Sequence, residues 1–137
     1  MDQTNTQMPE MQELAFPTEY ELINDEFEAK YADAIRAAGQ RYAHSGGVMR
    51  LDAGERRIIV RIPSDETIKD VRKRTADTKM DPFDSDRMLI KQCLVYPSEV
   101  VLDRWMGAEG KPAICSSFSA SLMEEVELNR AVARKKY

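Results

Sequence analysis

The stretch over residues 48–62 sets the main constraint on what this chain can fold into. Residues 48–51 and 56–62 alternate with the two-residue period of β-strands, which puts Ile58, Val60 and Ile62 on one face and Arg57, Ile59 and Arg61 on the other. Asp52-Ala53-Gly54-Glu55 lies between them and predicts a hairpin turn, and Pro63 ends the second run because proline has no amide hydrogen for a sheet. Elsewhere the apolar residues recur every three or four positions, the period of helices. A lone two-stranded hairpin is marginal in water, so this one needs helices packed against it. The expected fold is α+β and mostly helical, with about five helices around a two-stranded antiparallel hairpin.

Residues 19–42 read as the first helix, because Ile23, Phe27, Tyr31, Ala34, Ile35, Ala38 and Tyr42 keep helical spacing between charged residues. Arg36 and Arg41 suit its negative end, and Ser45-Gly46-Gly47 stops it. Ser64 is the expected cap of a polar helix with Ile68, Val71 and Thr75 on its buried stripe. A further helix, capped by Asp84 or Ser85, carries Met88, Leu89, Gln92, Cys93 and Tyr96 on one face and is expected to stop before Pro97. Ser98 caps a short helix with Val101, Leu102 and Trp105, and Gly107 ends it. The last helix starts near Pro112 and turns Ile114, Phe118, Leu122, Val126, Asn129 and Ala133 to one side. The hairpin is expected to pack through Ile58, Val60 and Ile62 in a core with Phe27, Tyr31, Ile35, Leu89, Cys93, Trp105, Phe118 and Leu122.

Residues 1–18 show neither period. Gln, Thr, Pro, Met and Glu dominate there, a composition that buries too little to offset the entropy of ordering. The expected organisation is a mobile acidic tail over residues 1–18, ahead of a single domain over 19–137 with its hairpin at 48–62. Residues 1–35 hold nine Asp or Glu and one Lys, a balance of −8, whereas residues 36–137 hold 15 acidic and 19 basic groups, a balance of +4. The resulting net charge of −4 argues against a protein whose whole surface serves nucleic acid.

Catalytic and metal chemistry find little to work with. His44 is the single histidine and stands in a turn, and no nucleophile elbow or Cys-His signature surrounds any serine or cysteine. Asp81, Asp84 and Asp86 fail the EF-hand spacing, since a loop begun at Asp84 puts Met88 fifth and Val95 twelfth. One histidine and two cysteines do not supply a zinc site, and Gly46-Gly47 leads into a strand rather than into a phosphate-binding helix. Cys93 and Cys115 read as small buried hydrophobes. No catalytic residue, metal or cofactor is expected. No apolar run approaches the roughly 20 residues of a membrane span, and the first residues lack the basic and apolar regions of a signal peptide, so the expected compartment is the cytoplasm.

Two surfaces remain as candidates for binding. Arg56, Arg57, Arg61, Arg72, Lys73 and Arg74 form the best argument for nucleic acid, but Glu55, Asp65, Glu66 and Asp70 interrupt them and no aromatic lies among them for base stacking. Protein binding is favoured instead. Met8, Met11, Leu14 and Phe16 are apolar and have no register with the helices, so they are the first candidate partner contacts. Met123, beside the stripe of Leu122 and Val126, is the second.

The order of these features carries a resemblance. Arg57-Ile58-Ile59-Val60-Arg61-Ile62-Pro63 leads into a polar helix, and Leu89-Ile90-Lys91-Gln92-Cys93-Leu94-Val95-Tyr96-Pro97-Ser98 follows. A short helix then ends at Gly107, and the last helix contains Met123-Glu124-Glu125-Val126-Glu127. Over residues 48–128 the chain resembles small tail-assembly chaperone-like proteins of tailed bacteriophages, from which it departs in its long first helix, its methionine-containing tail and its basic last segment. The resemblance implies a non-enzymatic assembly factor that keeps a tail or baseplate component, such as the tape-measure protein, soluble in the cytoplasm of a bacterial host. A structural tail or baseplate part, retained in the virion, is the alternative.

Overall fold

The computed structural model describes residues 15–134, with side chains up to residue 127. The hairpin forms from β1 (Val48–Ala53) and β2 (Arg56–Arg61), paired from Val48 opposite Arg61 to Ala53 opposite Arg56. Gly54 makes the turn at φ +63°, a conformation that costs a residue without a Cβ little. A third strand, β3 (Leu94–Tyr96), pairs antiparallel with β2, so the sheet has three strands in the order β1-β2-β3 rather than the two expected. Six α-helices accompany it among the described residues: α1 (Asp25–Lys30), α2 (Ala32–Arg41), α3 (Asp65–Thr78), α4 (Pro82–Cys93), α5 (Glu99–Met106) and α6 (Ile114–Arg134). The protein is therefore α+β and mostly helical, as the periodicity predicts.

Local chemistry accounts for where the elements begin and end. The side chain of Asn24 accepts a hydrogen bond from the Phe27 amide at 3.0 Å, so the first helix starts at Asp25 and not at Glu19. It breaks at Tyr31 (φ −110°, ψ 26°), which divides the expected single helix into α1 and α2. Ser64 caps α3 through the Thr67 amide, as expected. The cap of α4 is Asp81, which accepts from the Asp84 amide at 2.9 Å with Pro82 in the first turn, rather than Asp84 or Ser85. α4 also stops at Cys93, short of Pro97. Leu94-Val95-Tyr96 are residues suited to a strand, and the open edge of β2 offers backbone hydrogen bonds that a helix end would leave unmet.

The core lies on both faces of the sheet. Leu51, Ile58 and Val60 meet Leu89, Ile90, Cys93, Leu102, Trp105, Phe118 and Leu122 on one face. On the other, Ile59 and Tyr96 meet Ile23 and Phe27, with Phe16, Tyr20, Tyr31 and Ile35 partly buried around them. Ile59, assigned by alternation to the arginine face, is thus only 4% exposed. Ile62 lies one residue past the end of β2 and is partly exposed, and Tyr31 and Ile35 likewise form the margin of the core rather than its interior. The packed region also reaches upstream of residue 19, because Phe16 stacks on Phe27 with ring centroids 6.3 Å apart and lies 5.3 Å from Tyr96.

Candidate partner-binding site

α3 and α4 run into one another as a helical hairpin. The hydroxyl of Thr75 donates to the Val71 carbonyl at 2.8 Å and lies 2.9 Å from the Ser85 hydroxyl, which ties the two helices at that level. α4 in turn packs along α6. Where the three helices meet there is a cleft of about 170 Å³, with Ile68 and Val71 of α3, Leu89 of α4 and Met123 of α6 as its apolar lining. The cause lies in α6: Phe118 and Leu122 fill the core, while Ser119, one position round the helix and 5% exposed, is too small to fill the space above Met123. The volume is below the roughly 300–1,000 Å³ of drug-sized ligand sites. It is the scale of one inserted side chain.

The polar rim of this cleft comes from Arg72, Ser85 and Asp86. Arg72 is exposed on α3 and Asp86 half-buried on α4. Of the neighbouring charges, Arg74 pairs with Asp70 at 3.2 Å and Arg87 with Asp84 at 3.4 Å. Met123, expected from the sequence to face a partner, is half-buried in the cleft wall. Of the other expected partner residues, Phe16 takes part in the protein's own aromatic cluster, and Met8, Met11 and Leu14 lie outside the described residues. Ser119, Arg72 and Asp86 were not legible as members of one site, since they come from three helices.

A larger cleft of about 520 Å³ sits between the hairpin turn and the loop ahead of α6, with Arg56 and Lys111 in its wall. Cations beside a helix start suggest an anion site. The chain answers most of that chemistry itself. Arg56 Nη2 is 2.7 Å from Glu109 Oε1, and the amides of Ile114, Ser116 and Ser117 donate to the carbonyls of Lys111 and Ala113.

The arginine set proposed for nucleic acid is dispersed in the same way. Arg56 is held by Glu109, Arg57 donates to the Ile23 carbonyl at 2.8 Å, Arg61 lies 5.8 Å over the Tyr42 ring, and Arg74 pairs with Asp70. Arg72 and Lys73 are exposed. Cys93 and Cys115 are free and buried, and burial pushes each thiol up to about 11, so neither is a thiolate near neutral pH. His44 lies exposed in the 3-10 turn Ala43–Ser45. Among the described residues no group of three His, Cys, Asp or Glu is placed to hold a metal, and no helix is long and apolar enough to cross a membrane. No family model, curated protein or solved structure matches this chain.

Proposed function

We propose that this protein is a non-enzymatic binding factor that seats an apolar side chain of a partner helix between α3, α4 and α6. The observation that carries the reading is the cleft itself, with an apolar patch of Ile68, Val71, Leu89 and Met123 inside a polar rim, sized for one side chain. Methionine is flexible and polarisable, and adapts to the shape of what it meets. An amphipathic helix laid over such a cleft buries apolar area without any reacting group. The resemblance to tail-assembly chaperones narrows the partner to a phage tail component, with the tape-measure protein first and a baseplate component second, and the action to the cytoplasm of a bacterial host. The excess of eight negative charges over residues 1–35 favours solubility of such a complex. Nucleic acid is a weaker partner on this reading, because Arg56, Arg57, Arg61 and Arg74 are engaged within the chain.

Co-expression with the tape-measure protein encoded by the same genome tests the proposal. The partner is expected in the soluble fraction with this chain and in the pellet without it, and Met123→Asp is expected to lose the effect, with circular dichroism checking that the variant, which also loses a contact with the core, is still folded. A partner equally soluble alone overturns the reading. Recovery of the chain from finished particles supports the structural alternative.

A further inference from the structure

We infer that the α3/α4/α6 cleft selects its helix by charge as well as by fit, accepting one that carries a carboxylate where it passes Arg72 and a cation where it passes Asp86. The inference rests on the reading of this cleft as the partner site. Ile68, Val71, Leu89 and Met123 supply apolar area, and burial of such area has no direction of its own. Arg72 and Asp86 do supply one. They line the same cleft from different helices, carry opposite charges, and form no ion pair with each other or with another described residue. Arg74 and Arg87 on the same two helices each have a carboxylate partner, and Lys73, which also forms no ion pair with a described residue, lies outside the cleft lining. An occupant of the cleft lies beside both rim groups and displaces their water. A helix with complementary charges replaces that hydration, whereas one of a single sign leaves one rim group facing a like charge.

Three synthetic amphipathic helices of about 20 residues, long enough to hold helical structure, serve as probes of the full chain. All share one leucine anchor, and the positions one turn either side carry Glu and Lys, Glu alone, or Lys alone. Fluorescence anisotropy is expected to give the mixed helix about three- to tenfold tighter binding than either single-sign helix at low salt, with the gap closing near about 0.5 M salt. Arg72→Glu leaves two acidic groups on the rim and is expected to shift the preference to the Lys helix. Asp86→Lys is expected to shift it to the Glu helix. Those opposite shifts are a readout that a loss of folding does not mimic. Equal binding of all three helices to the parent and to both variants overturns the charge selection and leaves apolar docking standing. If none of the three binds, the reading of the cleft fails and the inference fails with it.

Discussion

On one face of the sheet Ile58 and Val60 meet α4, α5 and α6 through apolar side chains, and those helices bond most of their backbone internally. On the other face Ile59 and Tyr96 meet residues 15–24, which have no helix or strand of their own. That segment needs hydrogen-bond partners from elsewhere. Tyr20 supplies one clasp, its hydroxyl donating to the Arg57 carbonyl at 3.0 Å and accepting from the Arg57 amide at 3.1 Å. Tyr96 supplies another, accepting from the Glu21 amide at 2.7 Å and donating to the Glu19 carbonyl at 3.1 Å. Arg57 completes the set with its bond to the Ile23 carbonyl. The Tyr20 ring also meets Trp105 edge-on at 4.9 Å, which links the two faces past the sheet. The first face is thus held by volume, while the second adds a few directed bonds to a smaller apolar cluster, and the two should fail differently.

The largest expected effect belongs to the first face. Phe118→Ala removes a ring that is 1% exposed among α4, β2 and α6, and should destabilise the protein by about 3–5 kcal/mol in chemical denaturation. An unchanged midpoint would remove Phe118 from the core. On the second face, Tyr96→Phe keeps the ring and deletes the clasp, for an expected loss of about 1–3 kcal/mol. Hydrogen exchange sharpens the contrast: the Glu21 amide should lose protection while those of α4 and α6 keep theirs.

Alkaline titration separates the faces by chemistry. Burial pushes Tyr96 from 10 up to about 12, and so the folded state holds this proton more tightly than the unfolded state does. Its contribution is complete below about pH 10 and is lost as the pH rises through about 12. Cys93 and Cys115 behave alike from 9 to about 11 on the first face. Tyr96→Phe should therefore flatten the decline in stability between pH 10 and 12 and leave the decline below pH 10 in place. An identical profile for variant and parent would show that the Tyr96 proton is not coupled to folding.

Asp81→Ala deletes the cap of α4 and should cost about 1 kcal/mol, read as a shift in denaturation midpoint without a change in slope. Arg36→Ala breaks a pair with Asp33 in which both side chains are mostly exposed, and should change stability by no more than about 0.5 kcal/mol. A larger effect would mean that α2 has a packing role beyond Ala34, Ile35 and Ala38.

Which features were legible follows the same division. The hairpin, the Ser64 cap, the stop at Gly107 and the Phe118–Leu122 stripe depend on residues a few positions apart, so period and turn chemistry in the amino-acid sequence determine them. Of the candidate site, Met123 stood out as an apolar residue beside that stripe. Arg72 and Asp86 were visible only as members of an interrupted basic run and of an aspartate trio, and Ser119 was not singled out. Their meeting depends on how α3, α4 and α6 cross, a matter of packing between distant segments. The tertiary structure alone also decided that Tyr96 belongs to a strand. Its spacing from Leu89 and Cys93 fits a helix, and what overrides that spacing is the unpaired edge of β2, more than 30 positions upstream, which gives residues 94–96 backbone partners. The same long-range contact placed Tyr96 where its hydroxyl clasps residues 19–21, so that residues 19–24, which the period assigns to the start of the first helix, instead cover the sheet's second face without regular structure.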